Sequence, residues 1–99
     1  MVRINYARGV RKEVDDAIDF YDRSRKGLGF QFLTEVESAV ESLAVQPLRY
    51  ACVRGPFRRC LVNRFPYAVI FSYEQSADQI YILAVMHTSR KPDYWFPRA

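Results

Sequence analysis

The sequence has little of what marks disulfide frameworks, metal sites or membrane spans. Its 99 residues include two cysteines, Cys52 and Cys60, which lack the spacing of a zinc site and are too few for a disulfide scaffold. No apolar run approaches the roughly 20 residues that cross a bilayer. Residues 1–6 contain no apolar region of a secretory signal. We therefore expect a cytoplasmic protein with no membrane association, no metal and no other cofactor.

Four acidic residues of the first predicted helix are candidate cation ligands, because carboxylates bind cations. The group lies at helical spacing with no turn-forming glycine among its members, so it predicts a solvated helix face rather than a metal site. Its members are Asp15, Asp16, Asp19 and Asp22. Cys60 falls at a predicted strand position and is expected to be a small reduced core residue.

The composition is that of an ordinary globular domain, with 49% apolar or aromatic residues and 26% charged residues. A chain of this length buries roughly two-thirds of its unfolded surface, so we predict one domain over residues 1–99. Residues 1–48 carry 7 Lys/Arg and 8 Asp/Glu, whereas residues 49–99 carry 8 Lys/Arg and 3 Asp/Glu. The basic second half favours a partner with an acidic surface, either nucleic acid or protein.

The first part of the chain predicts a strand and a helix. Val2 to Tyr6 alternates apolar and polar residues, as a half-buried strand does. From Val10 the apolar period becomes that of a helix, which Gly27 and Gly29 are predicted to end. Its charged face, including Glu13, is predicted to be solvated. The apolar stripe consists of Val10, Val14, Ala17, Ile18 and Tyr21.

A second helix is predicted after a connection of about three residues, so that the two helices form an antiparallel hairpin. It ends by Gln46, because a residue that precedes proline disfavours helical backbone and Pro47 follows. Its apolar stripe consists of Phe32, Leu33, Val36, Val40 and Leu43.

The second half predicts three consecutive strands. Leu48 to Phe57 is predicted to be a loop. Arg58 to Tyr73 is rich in strand-forming residues and forms a β-hairpin that turns at Phe65-Pro66-Tyr67, where proline cannot donate to a ladder. Gln79 to Met86 is a nearly continuous apolar run, which is typical of a central strand. An aromatic and basic tail, His87 to Arg98, follows.

These elements have the order β-α-α-β-β-β. Consecutive strands joined by short turns predict an antiparallel sheet with the helical hairpin packed on one face. The predicted fold class is α+β.

Two groups in the tail have both a structural and a functional interpretation. His87 is the only histidine; a general base needs a partner within hydrogen-bond reach, and because the sequence identifies none, a structural hydrogen bond to the tail or the turn is favoured. Tyr94, Trp95 and Phe96 are suited to stacking on nucleic-acid bases, although such a cluster more often covers a sheet face.

The order and spacing of these features resemble the RelE/ParE family of bacterial toxins from type II toxin–antitoxin modules. The resemblance rests on the helical hairpin that ends at Gln46-Pro47 and on Arg59 to Tyr73 with its turn. It also rests on Ile82 to His87 followed by Arg90, Pro92, Trp95 and Arg98. It implies the fold given above and a small toxin that arrests growth until a co-encoded antitoxin neutralises it.

The family contains two activities: the RelE branch cleaves mRNA in the ribosomal A site, and the ParE branch blocks DNA gyrase. By resemblance, RelE-type chemistry would here fall to Arg59, Arg64, Arg90 and Tyr94. Leu61 and Ala68 stand at strand positions that are basic in the RelE branch, and Thr88 replaces another arginine. The incomplete cation set and the ParE-like tail imply a non-enzymatic gyrase inhibitor. The alternative is a metal-independent, ribosome-dependent mRNA endonuclease.

The resemblance also implies two binding surfaces. The target surface lies in the basic half and is expected to include Arg58, Arg59, Arg64, His87, Arg90, Lys91, Trp95 and Arg98. The antitoxin, which is ParD-like or another small acidic protein, is expected to lay apolar side chains along the helical hairpin at Val14, Ile18, Tyr21, Val36 and Val40. A sheet edge is a second docking line. A third interpretation is a family member that retains only antitoxin binding.

Overall fold

Two helices and five strands form the regular part of the computed structural model, which describes residues 2–99. The chain begins with β1 (Arg3–Tyr6), α1 (Val10–Ser24) and α2 (Leu28–Val45). Its second half contains β2 (Cys52–Arg54), β3 (Phe57–Leu61), β4 (Tyr67–Glu74) and β5 (Gln79–His87). The α+β class, the helical hairpin and the three consecutive strands of the second half are confirmed.

The sheet is mixed rather than purely antiparallel. Its strand order is β1-β5-β4-β3-β2, and β1 pairs with β5 in parallel, with Ile4 opposite Ile80. The pairs β3–β4 and β4–β5 are antiparallel, as predicted, and so is the pair β2–β3. The two helices separate β1 from the rest of the sheet along the chain, so no tight turn imposes an antiparallel partner on it. The sequence-based prediction of an all-antiparallel sheet is therefore wrong for β1.

The predicted loop before the β-hairpin contains the short strand β2. Cys52 lies opposite Arg58, and the Arg59 N–H donates to the Ala51 carbonyl at 3.1 Å. All three residues of β2 are exposed, so the strand has no buried apolar face. Its sequence therefore lacks the alternation of apolar and polar residues that predicts a strand. It forms because the outer edge of β3 offers it hydrogen bonds.

Each face of the sheet is covered by its own apolar core. The helices cover one face, where Phe32 and Leu43 of α2 and Phe71 and Ile82 of the sheet have no exposed surface. The opposite face, which we call the tail face, carries a second cluster that includes Ile70, Leu83, Ala84 and Trp95. The covered central strand predicted from the apolar run is thus confirmed for β5.

Cys60 belongs to the helix-side core, as predicted. It is 4% exposed, its Sγ lies 3.8 Å from the Ala39 carbonyl oxygen, and burial raises the pKa of its thiol. Both Cys52 and Cys60 are free thiols. Burial and a raised pKa make Cys60 a poor nucleophile.

The sequence predicts that Gly29 helps to end the first helix, but Gly29 lies inside α2. Its N–H donates to Asp22 Oδ1 at 2.8 Å, and a Cβ at this position would stand 2.6 Å from the Ile18 carbonyl oxygen. The missing side chain therefore lets α1 and α2 approach closely. Gly27, with φ 89°, precedes α2 and makes the reversal between the helices.

The acidic face of α1 is solvated, as predicted for its aspartates. Asp16 pairs with Lys12 at 2.9 Å and Asp15 with Arg11 at 3.7 Å, and all four side chains are exposed. Within residues 2–99, no group of three or more His, Cys, Asp or Glu side chains is arranged to hold a metal ion. None of the helices described there combines the length and hydropathy needed to span a bilayer.

Candidate functional site

The tail that follows β5 folds back over the tail face of the sheet. Trp95 is 2% exposed and packs in the cluster of Ile70, Leu83 and Ala84, with its ring 5.4 Å from that of Phe57. The interpretation of the tail aromatics as a cover for a sheet face is confirmed for Trp95. The assignment of Trp95 to the target surface is wrong, because a side chain this buried has almost no area to offer a partner.

One carboxylate, that of Glu13 on α1, fixes the tail to the body of the protein. Its Oε1 lies 3.0 Å from Arg98 Nη1, and its Oε2 lies 3.5 Å from Arg90 Nη1 and accepts a hydrogen bond from the Tyr94 hydroxyl. The Glu13 side chain is 11% exposed. The expectation that Glu13 lies on a solvated face is therefore wrong.

The Glu13–Arg98 pair also completes the edge of β5 beyond the end of β1. The last backbone bond from the β1 side joins the Ala7 N–H to the Ile82 carbonyl at 2.8 Å. Beyond it, Arg98 Nη1 donates to the Leu83 carbonyl at 3.0 Å, and the Val85 N–H donates to Glu13 Oε1 at 3.1 Å. Two side chains thus satisfy backbone groups that a longer β1 would have paired.

Tyr94 is held in its neutral form by this cluster. Burial, the hydrogen bond to Glu13 and the negative charge of Glu13 raise the pKa of Tyr94 well above its usual range, against a smaller lowering by Arg90 and Arg98. The Arg90 guanidinium stacks over the Tyr94 ring at 3.6 Å from its centroid. A phenol in these surroundings is a hydrogen-bond donor and is poorly suited to accept a proton near neutral pH.

The predicted target cations occupy different environments. Arg58 is half-buried and donates to the Tyr50 carbonyl at 2.6 Å, which gives it a structural role. Arg64 lies by α2, with Nη1 3.7 Å from Glu35 and Nη2 3.3 Å from Gln31. Arg59 and Lys91 are exposed, and neither forms an ion pair with another described residue. Those two are the free cations of the predicted set.

A small cleft of about 140 Å³ joins the tail to the strands. Arg59 from β3 and Arg90 from the tail line it together with Thr88 and Trp95. Arg64 does not line this cleft, so the four residues proposed for RelE-type chemistry do not all meet at one place. The cleft therefore holds two guanidinium groups, a hydroxyl and the carboxylate of Asp93. Arg90 is paired with Glu13 and Asp93 with Arg54, so Arg59 is the cation without an ion pair that the cleft offers to an anionic group.

His87 has the structural role that the sequence favoured. Its Nδ1 accepts the Ser89 N–H at 3.1 Å and lies 2.8 Å from the Ser89 hydroxyl, which fixes the first turn of the tail. Its ring packs edge-on against Tyr67, with centroids 5.2 Å apart. The ring is half-buried, and His87 does not line the cleft although its neighbours Met86 and Thr88 do.

An apolar groove of about 810 Å³ runs along the helical hairpin and the end of β1. Three residues of the expected antitoxin surface, Val14, Val36 and Val40, line it together with Leu33. Ile18 and Tyr21 do not line it. The Tyr21 ring packs instead at 5.4 Å from Phe32 and 4.9 Å from Phe65 in the helix-side core.

The residue that sequence reasoning missed is Glu13. It stands among other charged residues of α1 at positions 11 to 16, and nothing in that local pattern separates it from its solvated neighbours. Its partners lie 72 to 85 residues away along the chain. A buried carboxylate with several donors is recognisable only once those distant segments meet.

A family model described as the ParE toxin of the type II toxin–antitoxin system, parDE, matches residues 4–92. No curated protein sequence matches the chain. A solved structure of the chromosomal ParDE toxin–antitoxin system from P. aeruginosa has a similar fold, with a TM-score of 0.76. The two chains share 16% identity, and the alignment covers 90% of this chain and 98% of that one.

Proposed function

The chain belongs to the ParE toxin family of type II toxin–antitoxin systems, and we propose that it inhibits DNA gyrase by binding rather than by catalysis. A cognate antitoxin, small and acidic, neutralises it. The observation that carries the non-enzymatic part of this proposal is the Glu13 cluster, which occupies Tyr94 and two tail arginines with internal contacts.

The surroundings of Tyr94 argue against metal-independent RNA cleavage. That reaction needs a group that takes a proton from the 2′-hydroxyl and cations that bind the scissile phosphate. Tyr94 has a strongly raised pKa, and its hydroxyl donates a hydrogen bond to Glu13. Arg64, the fourth residue of the nuclease set, is engaged with Glu35 and Gln31 of α2.

The contacts that hold the tail against the sheet also suit a rigid binding surface. The tail is pinned at Trp95 and at Arg98, so the segment between β5 and Trp95 presents Lys91 at a fixed place. Arg59 projects from β3 on the tail face, in register with Ile70 of β4. Two unpaired cations on rigid elements can meet an acidic patch on a target with little loss of conformational entropy.

The apolar groove supports the antitoxin part of the proposal. Val14, Leu33 and Val40 are only half-buried there, so a partner that covers them would remove apolar surface from water. A groove between helices accepts an amphipathic helix through its apolar stripe. Glu37 and Glu41 on one wall would pair with basic residues of that helix, and Arg8 and Arg11 on the other with acidic residues.

The test is the supercoiling of relaxed DNA by purified gyrase with increasing amounts of this protein. We expect inhibition, which a double substitution of Arg59→Ala and Lys91→Ala weakens by about tenfold. Arg23→Ala, at an exposed site at the end of α1, is the matched loss of positive charge and is expected to leave inhibition unchanged. Undiminished supercoiling at micromolar protein would refute the proposal.

A ribosome-dependent mRNA endonuclease is the second candidate, and the cleft that holds Arg59 and Arg90 is the observation in its favour. In-vitro translation followed by primer extension separates the two. Cleavage in the ribosomal A site that disappears with Arg90→Ala or Tyr94→Phe would establish the enzyme. Growth arrest on expression without an antitoxin distinguishes both candidates from a chain that only binds an antitoxin.

A further inference from the structure

The outer edge of β3 is covered by β2 over only part of its length. The Arg59 N–H points outward to the Ala51 carbonyl, whereas the Val62 N–H points inward to the Tyr67 carbonyl of β4 at 2.9 Å. Since backbone directions alternate along an antiparallel strand, the N–H and C=O of Leu61 point outward. The ladder between β2 and β3 ends before Leu61, so its outward groups face no strand among residues 2–99.

A groove of about 460 Å³ lies between this edge and α2. Ser38, Ala39 and Ser42 of α2 form one wall, and Leu61 and Asn63 form the other. The Leu61 side chain is 59% exposed on the tail face, where an added strand would cover part of it. The edge therefore offers an extended segment backbone hydrogen bonds at Leu61 and, on the tail face, the apolar surface of the Leu61 side chain.

The charge of this groove favours an acidic occupant. Arg49 and Arg59 line it, and neither forms an ion pair within the described part of the chain. The only acidic lining residue, Glu35, is 20% exposed and lies 3.7 Å from Arg64. Arg49 donates to the Tyr50 hydroxyl at 3.2 Å, so its side chain is held by the groove while its charge has no acidic partner there. Two such guanidinium groups next to the outward backbone groups of Leu61 match an extended peptide that carries carboxylates.

We infer that an extended acidic segment of the antitoxin adds to the sheet as a strand at Leu61 and pairs its carboxylates with Arg49 and Arg59. This inference rests on the proposed function, because it takes the antitoxin as the partner. The two other edges suit this role less well. The strand β2 has three residues and is followed by Gly55 and Pro56. The groove at the end of β1 carries Asp15, Glu37 and Glu41 as well as two arginines, so it does not favour an acidic occupant.

The pairing of an antitoxin carboxylate with Arg59 explains how binding at this edge neutralises the toxin. Arg59 and Val53 line both this groove and the small cleft under the tail. An antitoxin carboxylate that pairs with Arg59 removes one of the two free cations proposed to meet the target. Added backbone next to Val53 would also narrow access to the cleft.

The experiment compares amide hydrogen exchange in the free chain and in its complex with the antitoxin obtained by co-expression of the two neighbouring reading frames. The Leu61 amide is expected to exchange at least about tenfold more slowly in the complex. The Val62 amide, already bonded to Tyr67, is the internal control and is expected to change little. A stable complex in which the Leu61 amide stays unprotected overturns this inference alone.

Charge-reversed variants provide the second measurement. Arg49→Glu combined with Arg59→Glu is expected to weaken antitoxin binding by about tenfold or more, whereas Arg23→Glu is expected to leave it within about twofold. Equal affinities for the two variants would overturn the pairing with Arg49 and Arg59. If co-expression gives no complex, the antitoxin part of the proposed function fails too, and gyrase inhibition by the free chain still tests the rest.

Discussion

Glu13 and Arg98 form an ion pair at 3.0 Å that joins the first helix to the end of the chain. Both side chains also bond the backbone of β5, at Val85 and at Leu83, where β1 no longer reaches. The position of the tail, and with it the position of Lys91 and Arg90, therefore depends on a carboxylate of α1.

Glu13→Gln is expected to destabilise the protein by about 2 kcal/mol, because it leaves the largely buried Arg98 without a counter-charge. Trp95 is the only tryptophan and belongs to the tail, where it is buried against the sheet. Its fluorescence emission therefore reports the unfolding of the tail and of the sheet beneath it. Urea unfolding followed by Trp95 fluorescence gives the measurement. Glu37→Gln, at an exposed site without an ion pair in residues 2–99, is the control, and an equal loss in both variants would contradict the role of Glu13.

Stability is expected to fall as the pH rises above about 10, the usual pKa of tyrosine. The fold raises the pKa of Tyr94, so its contribution is fully present below the unfolded pKa and is lost as the pH rises, because the unfolded chain gives up the proton first. Tyr94→Phe is expected to make this decline shallower without abolishing it, since burial also raises the pKa of Tyr67 and Tyr21. Thermal unfolding from pH 8 to 11 measures the slope. Tyr6→Phe, at a 56% exposed side chain, is the control.

Gly29→Ala is expected to cost about 1–3 kcal/mol, because the added Cβ would stand 2.6 Å from the Ile18 carbonyl oxygen and would force the helices apart. Gly27→Ala has no neighbouring atom within 4 Å but retains a φ of 89°, so strain of about 1 kcal/mol is expected. Chemical denaturation of the two variants separates steric contact from backbone strain. A smaller loss for Gly29→Ala than for Gly27→Ala would contradict the close approach of α1 and α2.

Arg58→Ala and Arg59→Ala are neighbouring substitutions, of which only the first is expected to lower stability. Arg58 donates to the carbonyls of Tyr50 and Leu48, so its removal is expected to lower stability by about 1–2 kcal/mol. Arg59 has no ion pair in the described structure, and its removal is expected to change stability by less than about 0.5 kcal/mol. Denaturation and gyrase supercoiling assays of both proteins test this separation. A loss of inhibition by Arg58→Ala at full stability would place it on the target surface.

Much of the fold follows from local patterns. The apolar stripe with Phe32 and Leu43 predicts α2, the run ending at Met86 predicts β5, and the Phe-Pro-Tyr turn predicts the β3–β4 hairpin. Each of these signals comes from residues that are neighbours in sequence, where the period of the apolar residues fixes which face is buried. Val14, Val36 and Val40 reach the predicted groove for the same reason.

Other features required the tertiary structure. The parallel pairing of β1 with β5 and the burial of Trp95 each depend on a partner distant along the chain. The short strand β2 pairs with its neighbour β3, but its three exposed residues give no apolar pattern. Glu13 is the clearest case, because the residues around it in sequence are solvated and its own partner Arg98 lies 85 positions away. The sequence by itself determined the two helices, four of the five strands and the basic character of its second half. Only the folded structure decided which cations are free, because an ion pair depends on distance in space and not on position along the chain.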